Sequence, residues 1–184
     1  MDLELLKYPI GKFQKPERIT PETINRWIDE IEFLPHQIRD AVQDLEEKQL
    51  DTAYRPNGWT IRQVVHHIPD SHMNSYIRFR WALTEEKPTI KAYHEDRWAE
   101  LQDAKYGNIE ISLILLEAIH IRWTMLLRSM DIEQFHKSFI HPETGKEIRL
   151  DENVGIYAWH GKHHLAHIEN CIASMTKKKR KKLF

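Results

Sequence analysis

"IEISLILLEAIHIRWTMLL", Ile109 to Leu127, decides the architecture. Its apolar residues cover most of a helical circumference, the pattern of a helix set deep in a core, and Asn108 stands before it as an N-cap. Working outward, three more segments read as long helices. Upstream, Thr20 is an N-cap with Pro21 at the first helical position, and Ile19 and Ile24 are spaced as a hydrophobic staple. That helix is expected to run to about Lys48, bent or broken at Pro35, because proline removes a backbone donor. A second helix follows the Asn57-Gly58 turn, from about Thr60 to Leu83, with a bend at Pro69. Downstream, "SFIHPETGKEIRL" (Ser138 to Leu150) carries two short alternating runs around Pro142–Gly145, a small β-hairpin signal. The last helix runs from near Asn153 to about Met175. Four long helices with one hairpin before the last make an all-α fold, a four-helix bundle.

At 184 residues the chain suits one domain, taken as residues 1–176, followed by a basic tail at 177–184. Hydrophobic residues make up 41% and charged residues 30%, the balance of a soluble globular protein. The sequence has no run of about 18 apolar residues and no basic-then-apolar leader, which excludes a membrane span and a secretory signal. A lone Cys171 cannot form an internal disulfide, so a cytoplasmic location is expected. Net charge is -1, but Lys177 to Lys182 are six consecutive basic residues; the body before them has about seven more acidic than basic residues and is no general nucleic-acid binder. The tail itself could attract nucleic acid or anionic lipid, but reads rather as a frayed, solvated C-terminus. The connection from about Glu85 to Gly107 is longer than a bundle needs, and the aromatics of "KAYHEDRWAEL" predict packing rather than disorder.

"YAWHGKHHLAHI", Tyr157 to Ile168, packs four histidines into eight residues. Stepping 100° per residue puts Tyr157, Gly161, His164, Ile168, Ile172 and Met175 on one stripe, with His160 and Cys171 at its edge. His163 lies about 100° away and His167 at the margin. His160 and His164 therefore point inward together, one turn apart, close enough to share an ion. The competing reading is ordinary core histidines satisfied by hydrogen bonds. Two inward imidazoles need partners for two donors and two acceptors, which a divalent cation answers directly, with a third ligand from another helix. On the second helix, periodicity makes His72 the inward choice, while His67 shares a polar flank with Gln63, Asn74 and Arg78. Pattern leaves the third ligand open.

"GWTIRQVVHHIPDS" (Gly58 to Ser71) resembles the W-S/T-x-x-E/Q-V-x-x-H-L/I-x-D-S segment of the DinB/YfiT superfamily, and "YAWHGKHHLAHI" resembles its W-H-x-x-H-H-x-x-H-I segment. With "HPETGKEIRLDENV" (His141 to Val154), they are most similar to the YfiT-like members, metal-dependent hydrolases related to bacillithiol S-transferases. The resemblance spans nearly the whole chain except the basic tail. It implies a four-helix bundle, a cytoplasmic homodimer, and a metal held by His67, His160 and His164.

Three neutral nitrogens leave an ion such as Zn²⁺ a strong Lewis acid, able to lower the pKa of a bound water towards ~7. Ni²⁺ or Cu²⁺ could replace it during isolation. No HExxH is present, since Gly161, Lys162 and His163 separate His160 from His164. His163, His66 and Glu169 are undistinguished candidates for a general base, and no residue is assigned as catalytic. One expectation is hydrolysis of a small-molecule substrate. The alternative is transfer of a low-molecular-weight thiol, bacillithiol, to an electrophile, with Arg78 binding an anionic cofactor unless it is a surface ion pair. A non-catalytic metal-binding stress-response protein is the reading from another class, although structural zinc normally has four protein ligands. Cys171 reads as packing.

Overall fold

The computed structural model describes residues 3–181, with side chains through Lys177. A short helix, α1 (Leu3–Lys7), precedes the first long one, α2 (Pro21–Val42). Thr20 caps α2, its Oγ1 accepting from the Thr23 amide at 3.3 Å. The helix passes through Pro35 unbroken and ends at Val42 rather than near Lys48. A new start intervenes: Gln49 Oε1 accepts from the Glu46 amide at 3.0 Å and opens α3 (Glu47–Leu50). At α4 (Ile61–Thr84), Thr60 and Gln63 form a reciprocal capping box, and Pro69 sits inside the helix without ending it.

The long connection is ordered, with α5 (Glu95–Trp98) and α6 (Gln102–Tyr106) inside it. Asn108 Oδ1 accepts from the Glu110 amide at 2.9 Å to cap α7 (Ile109–Ser129). After α8 (Ile132–Phe135), strands β1 (Ser138–Ile140) and β2 (Glu147–Arg149) pair antiparallel, Phe139 opposite Ile148. The turn between them uses Gly145 at φ 65°, a conformation open to glycine. Ile90 donates to the Ile140 carbonyl at 3.1 Å and Ile140 to that of Pro88 at 2.9 Å, so the connection is laced onto the hairpin. The last helix, α9, spans Leu150–Lys181. It outruns the expected Met175 and carries part of the basic run as helix, where cations suit the negative end of the helix dipole. The tail expected from residue 177 continues as helix to Lys181, with Lys177 exposed, and residues 182–184 lie outside the described residues.

The main packing partners of α2 are α7 and α9, and α4 packs against the same two. The consecutive long helices α2 and α4 therefore occupy opposite corners. Two apolar clusters fill the bundle. One centres on Ile28, Phe79, Trp123 and Val154; the other on Leu34, Ile38, Val64, Leu116 and Ile168. On α4, α7 and α9 the change of cluster falls at a histidine-bearing stretch, Ile68 to Phe79, Leu116 to Trp123 and Ala158 to Ile168, and on α2 it falls between Ile31 and Leu34, just before Pro35. A polar layer thus divides the core.

One expectation about α7 is overturned. Leu113, Leu116, Ile119, Trp123 and Leu127 are buried, but Ile111, Ile114, Leu115, Ala118, Ile121 and Met125 form an exposed apolar stripe. Each corner helix of a bundle has only its inward side covered, so apolarity around the circumference did not mean depth. Among the described residues no helix is long and apolar enough to cross a membrane.

Candidate metal centre

The polar layer is built from histidines on three helices. α9 presents His160 and His164 one turn apart, and α4 presents His67 opposite them; one ligand atom from each lies within 4.8 Å of the others. His67 Nε2 and His160 Nε2 are 3.2 Å apart. Two nitrogens bound to one tetrahedral Zn²⁺ at ~2.1 Å stand roughly 3.4 Å apart, so the donor set fits a divalent ion. Trp59 packs on His67 with ring centroids 4.7 Å apart.

Burial keeps these imidazoles in the form that a metal needs. Desolvation, helped by the nearby His163, pushes His67 down to about 4. Desolvation and then neighbouring histidines hold His160 and His164 well below the ordinary value of 6.5. At neutral pH all three are uncharged, with a lone pair to give.

Hydrogen bonds decide which nitrogen carries that lone pair. The Ile31 carbonyl, which can only accept, receives a bond from His120 Nδ1 at 2.5 Å. His120 Nε2 must then accept from His72 Nδ1, at 2.8 Å. His72 Nε2 in turn accepts from His160 Nδ1, at 3.1 Å. His160 is left with a bare Nε2 facing His67. The relay ends on Ile31 for a reason written in the sequence: Pro35, four residues on, has no N–H to claim that carbonyl. A shorter relay backs the other α9 histidine. His167 Nε2 donates to the Lys7 carbonyl at 3.1 Å, leaving its Nδ1 to accept from His164 Nδ1 at 3.5 Å. His163, His164 and His167 also cluster, but both nitrogens of His167 are engaged in that relay.

The periodicity of α4 was right that His72 points inward, since it is fully buried. It joins the layer behind His160 rather than the converging set, which contains His67. His163 and His167 were expected at or beyond the stripe's margin, yet both are buried. The segment before α2 covers them: Tyr8 packs on His163, and Gly11 accepts from Trp159 Nε1 at 3.1 Å. Of the three candidate bases, only His163 lines the cavity beside the cluster. His66 faces elsewhere, donating to Gly107 O at 3.2 Å and accepting from Ser112 Oγ at 2.7 Å, and Glu169 is exposed. Cys171 is buried against the carbonyls of Thr52 and Ala53, as packing predicts.

The cavity measures about 400 Å³ and opens onto His67, His160 and His164. Trp59 and Trp159 line it, with Tyr93 and Glu95 from the laced connection and His141 and Glu143 from the hairpin turn. Arg78 lines it as well and is buried, and among the described residues it forms no ion pair, against the reading of a surface pair for that residue.

The DinB superfamily model matches residues 30–168. A Bacillus cereus (strain G9842) protein named "Putative metal-dependent hydrolase" is 58% identical over 163 residues, 89% of this chain and 93% of its own length. A Bacillus anthracis (strain CDC 684 / NRRL 3495) protein of the same name is 56% identical over the same shares. Among solved structures, YfiT from Bacillus subtilis, described as "a probable metal-dependent hydrolase with an unusual four-helix bundle topology", matches with TM-score 0.92 and 47% identity over 94% of this chain and 98% of its own. The mycothiol-dependent maleylpyruvate isomerase, 14% identical, shares the fold at TM-score 0.59 over 76% of this chain and 60% of its own.

Proposed function

The chain is a member of the DinB superfamily, and on that footing we propose that it is a metal-dependent hydrolase of a small-molecule substrate, with one divalent ion held by His67, His160 and His164. The observation that carries this reading is the convergence of three uncharged imidazoles at the wall of a 400 Å³ cavity. Zn²⁺ is the ion proposed, with Ni²⁺ an accepted substitute. When bound, it supplies Lewis acidity that activates water for hydrolysis or, in the alternative reading, a thiol for transfer to an electrophile. The protein's own residues do the rest. The two relays hold the α9 ligands in one tautomer, Trp59 packs on His67, and His163, whose ring lies 5.0 Å from that of His164 and which lines the cavity, is the side chain proposed to move a proton there.

Thiol transfer is kept as a second reading because the cavity's carboxylates, Glu95 and Glu143, are exposed and hydrogen-bond to no histidine of the cluster. Transfer of an activated thiol needs no carboxylate base. We also propose a cytoplasmic homodimer, supported by the exposed apolar stripe on α7, which a second copy would cover. Light scattering should give twice the chain mass, falling to the chain mass in an Ile121→Glu/Met125→Glu double variant.

Elemental mass spectrometry of the purified protein tests the central claim. About one equivalent of divalent metal per chain is expected in the wild type, with little in His67→Ala, His160→Ala or His164→Ala. His163→Ala should keep its metal. No metal in the wild type after Zn²⁺ addition would end the enzymatic reading.

A further inference from the structure

Arg62 and Arg78 stand on the same helix, both buried, and their surroundings differ completely. Arg62 donates to Asp51 Oδ1 at 2.8 Å, to Glu47 and to the Gly107 carbonyl at 3.0 Å. Arg78, 9% exposed, makes one hydrogen bond, from Nη1 to Tyr157 Oη at 3.4 Å, and no carboxylate among the described residues pairs with it. A guanidinium has five N–H donors and a charge whose burial is unfavourable unless a counter-charge is supplied. Tyr157 supplies neither charge nor enough acceptors.

What faces Arg78 is the cavity. His67, Ser71 and Arg78 lie at i, i+4 and i+11 along one face of α4, and all three line it. Two more polar atoms there are buried without a partner, His141 Nδ1 and His163 Nδ1. The cavity therefore holds a buried cation with no carboxylate in ion-pair contact, Glu95 and Glu143 lining it without pairing to Arg78, and two unsatisfied ring nitrogens, an arrangement that a ligand completes.

We propose that Arg78 is the anion subsite of this cavity and takes a carboxylate of the molecule that reacts at the histidine cluster. The planar fork of the guanidinium matches a carboxylate through two parallel hydrogen bonds, which selects that group over a neutral amide. Bound this way, the carboxylate lies on the Arg78 side of the cavity and the remainder of the molecule extends along α4 towards His67. The inference rests on the reading of the cavity as the substrate site, and it narrows the substrate to a carboxylate-bearing small molecule.

The test is titration calorimetry at pH 8 with benzoate and its neutral counterpart benzamide, on zinc-loaded and chelator-treated protein. Wild type should bind benzoate at least about tenfold more tightly than benzamide in both forms. Arg78→Met should abolish the difference with unchanged zinc content and melting temperature, and Arg78→Lys, which keeps the charge but not the fork, should restore part of it. No detectable benzoate binding, equal binding of the two probes, or a preference surviving in Arg78→Met would overturn the subsite. Failure of the metal reading shows separately: wild type without zinc that still prefers benzoate through Arg78 keeps the subsite and loses the metal. Zinc-dependent tightening of mercaptosuccinate over succinate would assign the carboxylate to a thiol co-substrate, and equal binding to the substrate itself; both require the Arg78 contact.

Discussion

At the scale of single residues, the site depends on side chains that touch no reacting atom. His72 is the test. Replacing it with phenylalanine preserves much of its bulk but leaves the His160 Nδ1 proton without its acceptor at 3.1 Å, and His160 is then free to move that proton to Nε2. Zinc affinity should fall roughly 10- to 100-fold in a chelator competition although His72 is no ligand; unchanged affinity would remove the relay from the mechanism. The same burial makes the fold acid-sensitive. His67 and His120 are each pushed from 6.5 down to about 4 by desolvation. Between pH 6.5 and about 4 the unfolded chain binds these protons and the folded one does not, so stability is full above pH 6.5 and declines as pH falls through that window. Each histidine contributes on the order of 3 kcal/mol to the loss. Urea unfolding in chelator should show at least two protons taken up per molecule near pH 5; an uptake near zero would contradict the burial of these rings. The pairing of His160 with His164 was legible in the sequence because spacing on one helix is local information. The relay was not, because His120, His72 and Ile31 come from three separate helices and meet only through packing. Pro35 and the inward phase of His72 were its visible traces.

At the scale of elements, the starts of α2, α4 and α7 were legible, and the ends of α2 and α9 were not. Thr20, Thr60 and Asn108 each cap as their residue types predict, since a side-chain oxygen reaching its own N2 or N3 amide needs nothing distant. Where α2 stops, and how far α9 runs, depends on the neighbours that take up the freed groups. The seam between these two helices is tight. A Cβ on Gly161 would lie 2.3 Å from Leu34 Cδ2, and one on Gly155 2.7 Å from the Trp27 ring. Gly161 sits between His160 and His164, so Gly161→Ala should both destabilise the fold, by about 1–3 kcal/mol, and displace the two α9 histidines proposed as ligands. Thermal melts and zinc titration on the same variant check this. A melting temperature and zinc affinity equal to wild type would mean that Leu34 yields without moving α9. The apolar circumference of α7 was the misleading element signal, for sequence cannot distinguish a helix covered by its own chain from one with an apolar outer face.

At the scale of the whole molecule, the bundle carries a polar layer between two apolar clusters, with α4 and α9 facing each other across it. A metal bound there would tie those helices together. Chelation should therefore lower the melting temperature: at a free metal concentration 100 times the dissociation constant, binding stabilises by about 2.7 kcal/mol, which for a chain of this size is on the order of 5–10 °C. Calorimetry with and without chelator gives the answer, and coincident melts would place no metal between the helices. The bundle itself could be read from four long periodic segments, whereas the diagonal placement of α2 and α4 could not, because periodicity says which face is buried and not by whom. Pro35 joins these scales. A proline inside a helix is the first target for anyone raising stability, since alanine there is more favourable by about 3 kcal/mol. In this protein the alanine N–H would compete with His120 for the Ile31 carbonyl. The repaired helix would gain regularity while the imidazoles lost their fixed proton order, so at residue 35 robustness and chemistry are opposed, and a Pro35→Ala protein that melts higher should hold its zinc less tightly.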